Sequence, residues 1–504
     1  MPSDLSLPAP ILRQSAVRVL VLLAGLALAG CVVGPDYHRP DAPAVQRYTA
    51  QPLPSATAAA NAGDGDAQRF MQGHDVPARW WTTFDNAELT RRVDTALRHS
   101  PSIASAQAAL RQAQEDARAA GAVNFPSVDA SAGVTRQKQS GAAFGGAFTF
   151  APLTVYNASV SVSYGIDLFG GTRRGIEAQA ALADVQRAQT DATYLTLAAN
   201  VVTASLQEAS LREQLRATGE ILDSQRKSLH IAEQQQQIGA KSLSDTLAVR
   251  TQLASTEASL PPLRARLAAT RNQLATYLGS TPAQLELSPL RLDAITLPRD
   301  IPVSLPSSLV EQRPDIRAAS AQLHAATAQV GVATAAMLPQ ISLSGSAGSQ
   351  ALHASDLFSA GSGAWSLGLG LTQPLFHGGE LLHKKRAARA GLDKALADWQ
   401  QTVLVAFQNV ADALQALEYD AQGLAAQAGA ESAASQQLGL TRQQYQVGAT
   451  GYLNLLDAER SYQQARIALI QARAARLADT AALYAALGGG WQDDSRQQVA
   501  KQNP

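Results

Sequence analysis

The sequence predicts an α+β membrane protein built by internal duplication, with four β-strands per chain contributing to a transmembrane barrel and long helices forming a coiled coil. Three observations predict it. One order of motifs occurs twice, about 210 residues apart; short segments alternate strictly between apolar and small polar side chains; long proline-free stretches repeat apolar residues at steps of three and four.

The duplication is read most directly. "HSPSIASAQAALRQAQEDARAAGAVNFPSVDASAG" begins at His99 and "QRPDIRAASAQLHAATAQVGVATAAMLPQISLSGSAG" at Gln312, so that Pro101 matches Pro314 and Pro126 matches Pro339, both 213 apart. "YGIDLFGGTRRG" from Tyr164 answers "LTQPLFHGGELL" from Leu371, and "QQIGAKSLSDTLAVR" from Gln236 answers "YQVGATGYLNLLDAER" from Tyr445. Each half therefore reads helix, strand, strand, long helix, turn, helix. Solenoid repeats run to periods of 20–50 residues, so a period this long means a duplicated domain. The repeats are placed at 86–280 and 307–488, with a Pro-rich linker at 281–306 expected to be irregular.

The strands carry the membrane signal. In "YNASVSVSYGIDLF", Tyr156, Ala158, Val160, Val162, Tyr164, Ile166 and Leu168 share one face, and Asn157, Ser159, Ser161, Ser163, Gly165 and Asp167 the other. "WSLGLGLTQPLF" puts Trp365, Leu367, Leu369 and Leu371 on one face, and the partner strands begin at Val128 and Ile341. This is the pattern of a barrel strand, apolar toward lipid and polar toward the lumen, although a half-buried soluble sheet alternates too. Four strands leave open edges, which hydrocarbon does not tolerate, so spanning strands must be completed by further copies. Two copies would give eight strands and three would give twelve.

The helices follow. Residues 172–236 contain no proline, and 65 residues at 1.5 Å each come to roughly 98 Å. Leu182, Val185, Ala188, Ala192, Leu195, Ala199, Val202 and Leu206 form a coiled-coil seam, repeated on the return helix from Leu253 to Tyr277. The second half repeats the design from Glu380 to about Tyr445 and back from about Tyr452 to Leu487. Pro261-Pro262 has no counterpart around Ile470, which predicts a kink in the first return helix alone.

The N-terminus reads as a targeting segment. Arg13 and Arg18 precede the twelve-residue apolar run Val19–Gly30, too short to span a bilayer and right for a signal peptide at 1–30. "LAGC", Leu28 to Cys31, resembles the lipobox of bacterial lipoproteins, in which the cysteine is acylated and becomes the first mature residue. The alternative is an ordinary buried thiol. Val32 stands where an aspartate would favour inner-membrane retention, so by that resemblance the anchor ends in the outer membrane. Residues 31–85 are expected to be a lipid-anchored extended segment, its 42–78 stretch wrapping the outside, and 489–504 a flexible tail.

Chemistry of other kinds finds little support. Formal net charge is zero and charged residues make up 16% of the chain, which does not suggest a nucleic-acid partner. The eight histidines are scattered, and no metal-ligand spacing, nucleophile elbow or phosphate loop occurs, so an enzyme is not expected and no cofactor beyond the lipid on Cys31.

Several motifs together resemble one family. Cys31 with "GPDYHRP" at 34–40, "WWTTFDNAELTRRVDTAL" at 80–97, "DLFGGTRR" at 167–174, "QRPDIRAAS" at 312–320, "PLFHGGE" at 374–380, "VGATGYLNLLDAERSY" at 447–462 and "ALGGGW" at 486–491 are similar to those of TolC-type outer-membrane efflux channels, specifically the NodT/OprM-like lipoprotein branch serving RND pumps. The resemblance covers nearly the whole mature chain. It implies a homotrimer whose 12-stranded barrel in outer-membrane lipid continues into a periplasmic α-helical barrel. It also implies a periplasmic adaptor and an inner-membrane RND-type transporter as partners. In the family the helical turns lie at the periplasmic tip, where the channel closes and the adaptor docks. Carried over by motif, Leu453 falls in the apolar constriction, Asp457 in the acidic ring and Arg460 in the polar links that hold the tip shut. Gly239, Ala240 and Ser242, with Gly448 and Ala449, fall at the adaptor-binding turns. On the residues alone Leu453 could be one more seam leucine, and Asp457 with Arg460 an exposed i,i+3 pair of small value. The function implied is a passive exit duct for drugs or other small toxic compounds. The alternative is a lipid-anchored coiled-coil spacer or adhesin, which needs neither alternating strands nor a duplicated hairpin.

Overall fold

The computed structural model describes residues 32–138, 140 and 151–489. The signal peptide, the lipidation position Cys31 and the tail from residue 490 lie outside the described residues. In chain order the elements are β1 (Arg69–Gln72), α1 (Ala87–His99), α2 (Pro101–Ala122), β2 (Ser127–Gln137), β3 (Leu153–Ile166), α3 (Gly171–Gln237), α4 (Leu243–Ala258) and α5 (Leu260–Tyr277). There follow β4 (Asp300–Val303), α6 (Pro306–Gln312), α7 (Pro314–Ala335), β5 (Gln340–Ala351), β6 (Gly363–Thr372), α8 (Glu380–Gln446) and α9 (Tyr452–Ala486). The duplication is literal: α2 and α7 have 22 residues each, and α3 and α8 have 67 each. No described helix is long and apolar enough to cross a membrane.

The chain forms two compact units. One takes in the described parts of Met1–Arg39, Arg111–Val185 and Ser320–Asp398, and holds a four-stranded antiparallel sheet in the order β2-β3-β5-β6. Its register carries the alternation across every strand. Val128 opposes Val162, Tyr164 opposes Leu343, Ile341 opposes Leu371, and Ala347 opposes Trp365. One face is thus apolar from edge to edge, while Ser131–Ser159 and Ser346–Ser366 pair by hydroxyl hydrogen bonds on the other. Trp365, Leu367, Leu369 and Leu371 lie 69–81% exposed, an open apolar patch of a kind that marks an interaction or membrane surface. The outer edges of β2 and β6 have no strand partner among the described residues.

The same unit explains two sequence motifs. Asp167 accepts a hydrogen bond from the Arg173 amide at 2.9 Å and so caps the start of α3; β3 ends at Ile166, just before it. Arg174 reaches Asp36 at 2.5 Å and Glu177 at 2.7 Å, while Tyr37 stacks on His324 with centroids 4.4 Å apart. The "GPDY" segment is therefore seated on α3 and α7. Gly34 has φ of +101°, and a Cβ there would stand 2.5 Å from the Gly331 Cα, so the approach admits only glycine.

The other unit comprises Pro40–Leu110, Gln186–Ala319 and the described part of Trp399–Pro504. Its core joins Trp80, Phe84, Leu89, Leu206, Val410, Leu477 and Tyr484. The expected seam positions Ala188, Leu195, Val202 and Leu206 are buried. Arg92 is buried against Glu208 at 2.7 Å and also bonds the Ser288 carbonyl, so α1, α3 and the linker meet at one guanidinium. Arg313, of the "QRPD" motif, donates at 2.7 Å to the Ala486 carbonyl at the end of α9, where a cation suits the helix C-terminus.

Four expectations need correction. The linker is not wholly irregular: β4 pairs in parallel with β1, and Leu290, Leu292, Ile295 and Leu297 are buried in the core. The 42–78 stretch does not merely wrap the outside. Arg476, fully buried on α9, donates to the Asp64 and Asp66 carbonyls and to Thr57, pinning that stretch into the core. Residues 80–84 form a 3-10 turn whose Trp80 and Phe84 are fully buried, so the segment to residue 85 is not all extended. The predicted kink is an interruption: α4 ends at Ala258 and α5 starts at Leu260, because Pro261 and Pro262 lack the amides that would bond Glu257 and Ala258. The matching α9 runs unbroken through 35 residues.

Between α8 and α9, burial first, and the neighbouring Asp479 carboxyl second, push Asp420 up to about 7. The folded chain thus holds a proton that an unfolded aspartate loses near pH 4, so stability falls as pH rises through about 4 to 7 and levels off above. Asp420→Asn is expected to stabilise the protein at pH 8 by on the order of 1–2 kcal/mol, after discount for partial exposure, and little at pH 5. Apparent melting temperatures at the two pH values check this, and an equal shift at both would refute it.

Candidate functional site

The two helical turns of the second unit share one construction. α3 closes with Gly239 at φ +73°, where the Ala240 amide bonds the Gln235 carbonyl at 2.8 Å and the Gly239 amide the Gln236 carbonyl at 3.0 Å. α8 closes with Gly448 at φ +77°, with Ala449 to Gln444 at 2.8 Å and Gly448 to Tyr445 at 3.1 Å. This pair of bonds is the Schellman closure, and the left-handed backbone explains glycine at both positions. Ser242 caps α4: its hydroxyl accepts from the Asp245 amide at 3.1 Å and donates to the Asp245 carboxylate at 2.8 Å. Its side chain therefore has a structural task besides any docking role. Ile238 and Val447, each 80% exposed, flank the two glycines.

The start of α9 is two-faced. Tyr452, Leu455, Leu456 and Ala458 are buried with Ala232, Val249 and Leu438. Leu453, Asp457 and Arg460 fall at i, i+4 and i+7 on the opposite, exposed side, with Leu453 68% exposed. Leu453 is thus not a seam leucine; Leu455 and Leu456 are. The i,i+3 pair between Asp457 and Arg460 is absent among the described residues. Arg460 instead donates to the Gln252 side-chain oxygen on α4, tying the second hairpin to the first.

A second tie could not be read from the sequence. Lys241 donates to the Tyr445 hydroxyl at 2.7 Å and stands 3.8 Å from the centroid of the Tyr452 ring, a cation–π contact. Only the aromatic pair, seven residues apart around the turn, hints at it; the lysine lies 204 residues away from Tyr445. In the first half, Arg250 is occupied by Glu233 at 2.8 Å and Asp245 by Ser242, both within their own hairpin.

Arranged in this way, the chain offers an incomplete sheet with an apolar outer face and a helical turn region presenting Leu453, Asp457 and Arg460 on one surface. The family model described as outer membrane efflux protein matches residues 93–280 and 305–489, the two repeats. The pyoverdine export outer membrane protein OpmQ of Pseudomonas aeruginosa is 32% identical over 469 residues, covering 90% of this chain and 96% of that protein. Outer membrane protein OprJ of the same species is 31% identical over 494 residues, covering 97% and 98%. The solved structure of the outer-membrane channel OprN superposes with a TM-score of 0.81 at 32% identity, covering 92% of this chain and all of that one.

Proposed function

The chain belongs to the outer membrane efflux protein family, and from that membership and its geometry we propose how its parts divide the work. It is the outer-membrane channel subunit of a tripartite efflux system, with the TolC-like fold in which a transmembrane β-barrel continues into an α-helical barrel. Relatives are named as outer membrane proteins of efflux pumps, and the same assembly with an inner-membrane pump and a periplasmic adaptor is proposed for this chain. The observation that carries this reading is the sheet: four strands with one predominantly apolar face and, among the described residues, both edges unpaired. Three copies supply twelve strands and remove every edge, as hydrocarbon requires.

The finer assignments are ours. The pump is of RND type, and the adaptor meets the turns at Gly239, Ala240 and Ser242 and at Gly448 and Ala449. Leu453 forms the apolar constriction, Asp457 an acidic ring, and Arg460 one of the polar ties of the resting tip. Cys31 carries the lipid anchor in the outer membrane. The duct performs no catalysis and takes its driving energy from the pump. Reconstitution of purified trimers in planar bilayers tests the reading: discrete cation-preferring conductance is expected. A silent membrane with correctly assembled trimers would instead favour a spacer or adhesin.

A further inference from the structure

Behind the gate face of α9 lies a cavity of about 290 Å³, walled by α3, α8 and α9. That is far more than one water needs and approaches the size of small-ligand pockets. Two nearly fully buried polar side chains line it with their polar atoms unused. Neither the amide nitrogen nor the oxygen of Gln225, on α3, has a hydrogen-bond partner, and neither carboxylate oxygen of Glu459, on α9, has one. Leaving such groups bare costs about 1–3 kcal/mol each, more for a charged one.

The neighbouring charges are already committed. Glu220 pairs with Arg216 at 2.5 Å and Arg466 with Glu431 at 3.3 Å. Arg442 donates to Ser224 at 3.3 Å and stands 3.7 Å from Glu459, close enough for attraction but without a hydrogen bond. Burial pushes the Glu459 carboxyl above the usual carboxylate range, against the pull of Arg442. Arg442 thus attracts Glu459 without bonding it, no donor reaches either Glu459 or Gln225 within hydrogen-bond distance, and Ile221 and Leu438 add an apolar wall.

We propose that this cavity is a binding site for a small aliphatic ammonium compound, its nitrogen donating to Glu459 and to the Gln225 side-chain oxygen. A compound so held would bridge α9 to α3 beneath Leu453, Asp457 and Arg460, and so resist movement of the gate helix.

The test uses the purified full-length trimer with n-butylammonium chloride as probe and n-butanol and potassium chloride as controls, followed by ligand-observed NMR and by titration calorimetry. Saturable binding of the ammonium compound alone is expected, weakened at least tenfold in Glu459→Gln. Gly439→Leu leaves Glu459 in place and closes the cavity from the α8 side, where a Cβ on Gly439 meets nothing within 4 Å; it is expected to abolish binding while keeping the trimer. Undiminished binding in both variants would overturn the site. So would equal binding of n-butanol, which would make the cavity merely apolar, or no binding of any probe, which would make it a home for ordered water only.

Discussion

Replacing Asp457 by alanine is expected to raise basal conductance several-fold in planar bilayers and to bring the cation-to-anion permeability ratio toward one. The reason lies in what Asp457 does not do. It forms no ion pair among the described residues of its own chain, whereas Arg460, three residues on, is held by Gln252. Its carboxylate is exposed, and in the proposed gate it faces the lumen or a neighbouring copy. Three carboxylates at one level of a narrow pore fix its preference for cations, and an apolar ring one turn away can shut it by dewetting. Alanine removes the charge and any link between copies while leaving the buried face of α9, Tyr452, Leu455 and Leu456, untouched. Loss of ion preference should therefore come with unchanged trimer stability. If Asp457→Ala conducts and selects like the parent, the acidic ring is elsewhere.

What the sequence disclosed and withheld follows from the range of the interactions. Alternation along β2, β3, β5 and β6 is local, so the membrane face was legible residue by residue, and the register brings Val128, Val162, Tyr164, Leu343, Leu369 and Trp365 to one side. The proline pair at 261–262 likewise acts within one turn, and its effect was placed correctly though understated, since it interrupts the helix. The proposed gate rests on motif likeness alone; what the structure adds is that the start of α9 is two-faced, with Leu453 exposed and Leu455 and Leu456 buried.

The missed features all join residues distant in sequence. Arg476 bonds carbonyls 410 and 412 residues away, and nothing in "QARAARLADT" marks it, or Arg473 that pairs with Asp64, as other than a solvated helix arginine. β4 has four residues, including a proline, and exists because β1 lies alongside. Lys241 looks like an ordinary turn residue until Tyr445 and Tyr452 meet it, and Gln225 and Glu459 like ordinary helix-surface positions until α3 and α9 enclose them.

A paired substitution one residue apart puts the membrane face to its hardest test. Leu367 lies mid-strand in β6, opposite Gly345, exposed on the apolar face between Trp365 and Leu369. Arginine on the lipid side near the bilayer midplane costs about 2–4 kcal/mol, hence roughly 6–12 kcal/mol when three copies carry it. Leu367→Arg is therefore expected to abolish assembled trimers in the outer membrane, read as loss of the heat-resistant oligomer on gels and of conductance. Ser366→Arg places the same side chain on the opposite face, beside Ser346. There the guanidinium meets lumen water, so trimers should persist while cation conductance drops through added positive charge. A soluble sheet with its apolar face merely packed against protein would also lose Leu367→Arg, but it would have no conductance for Ser366→Arg to change. Equal tolerance of both variants would mean that the alternate residues of β6 do not face lipid and water, and the barrel would have to be abandoned.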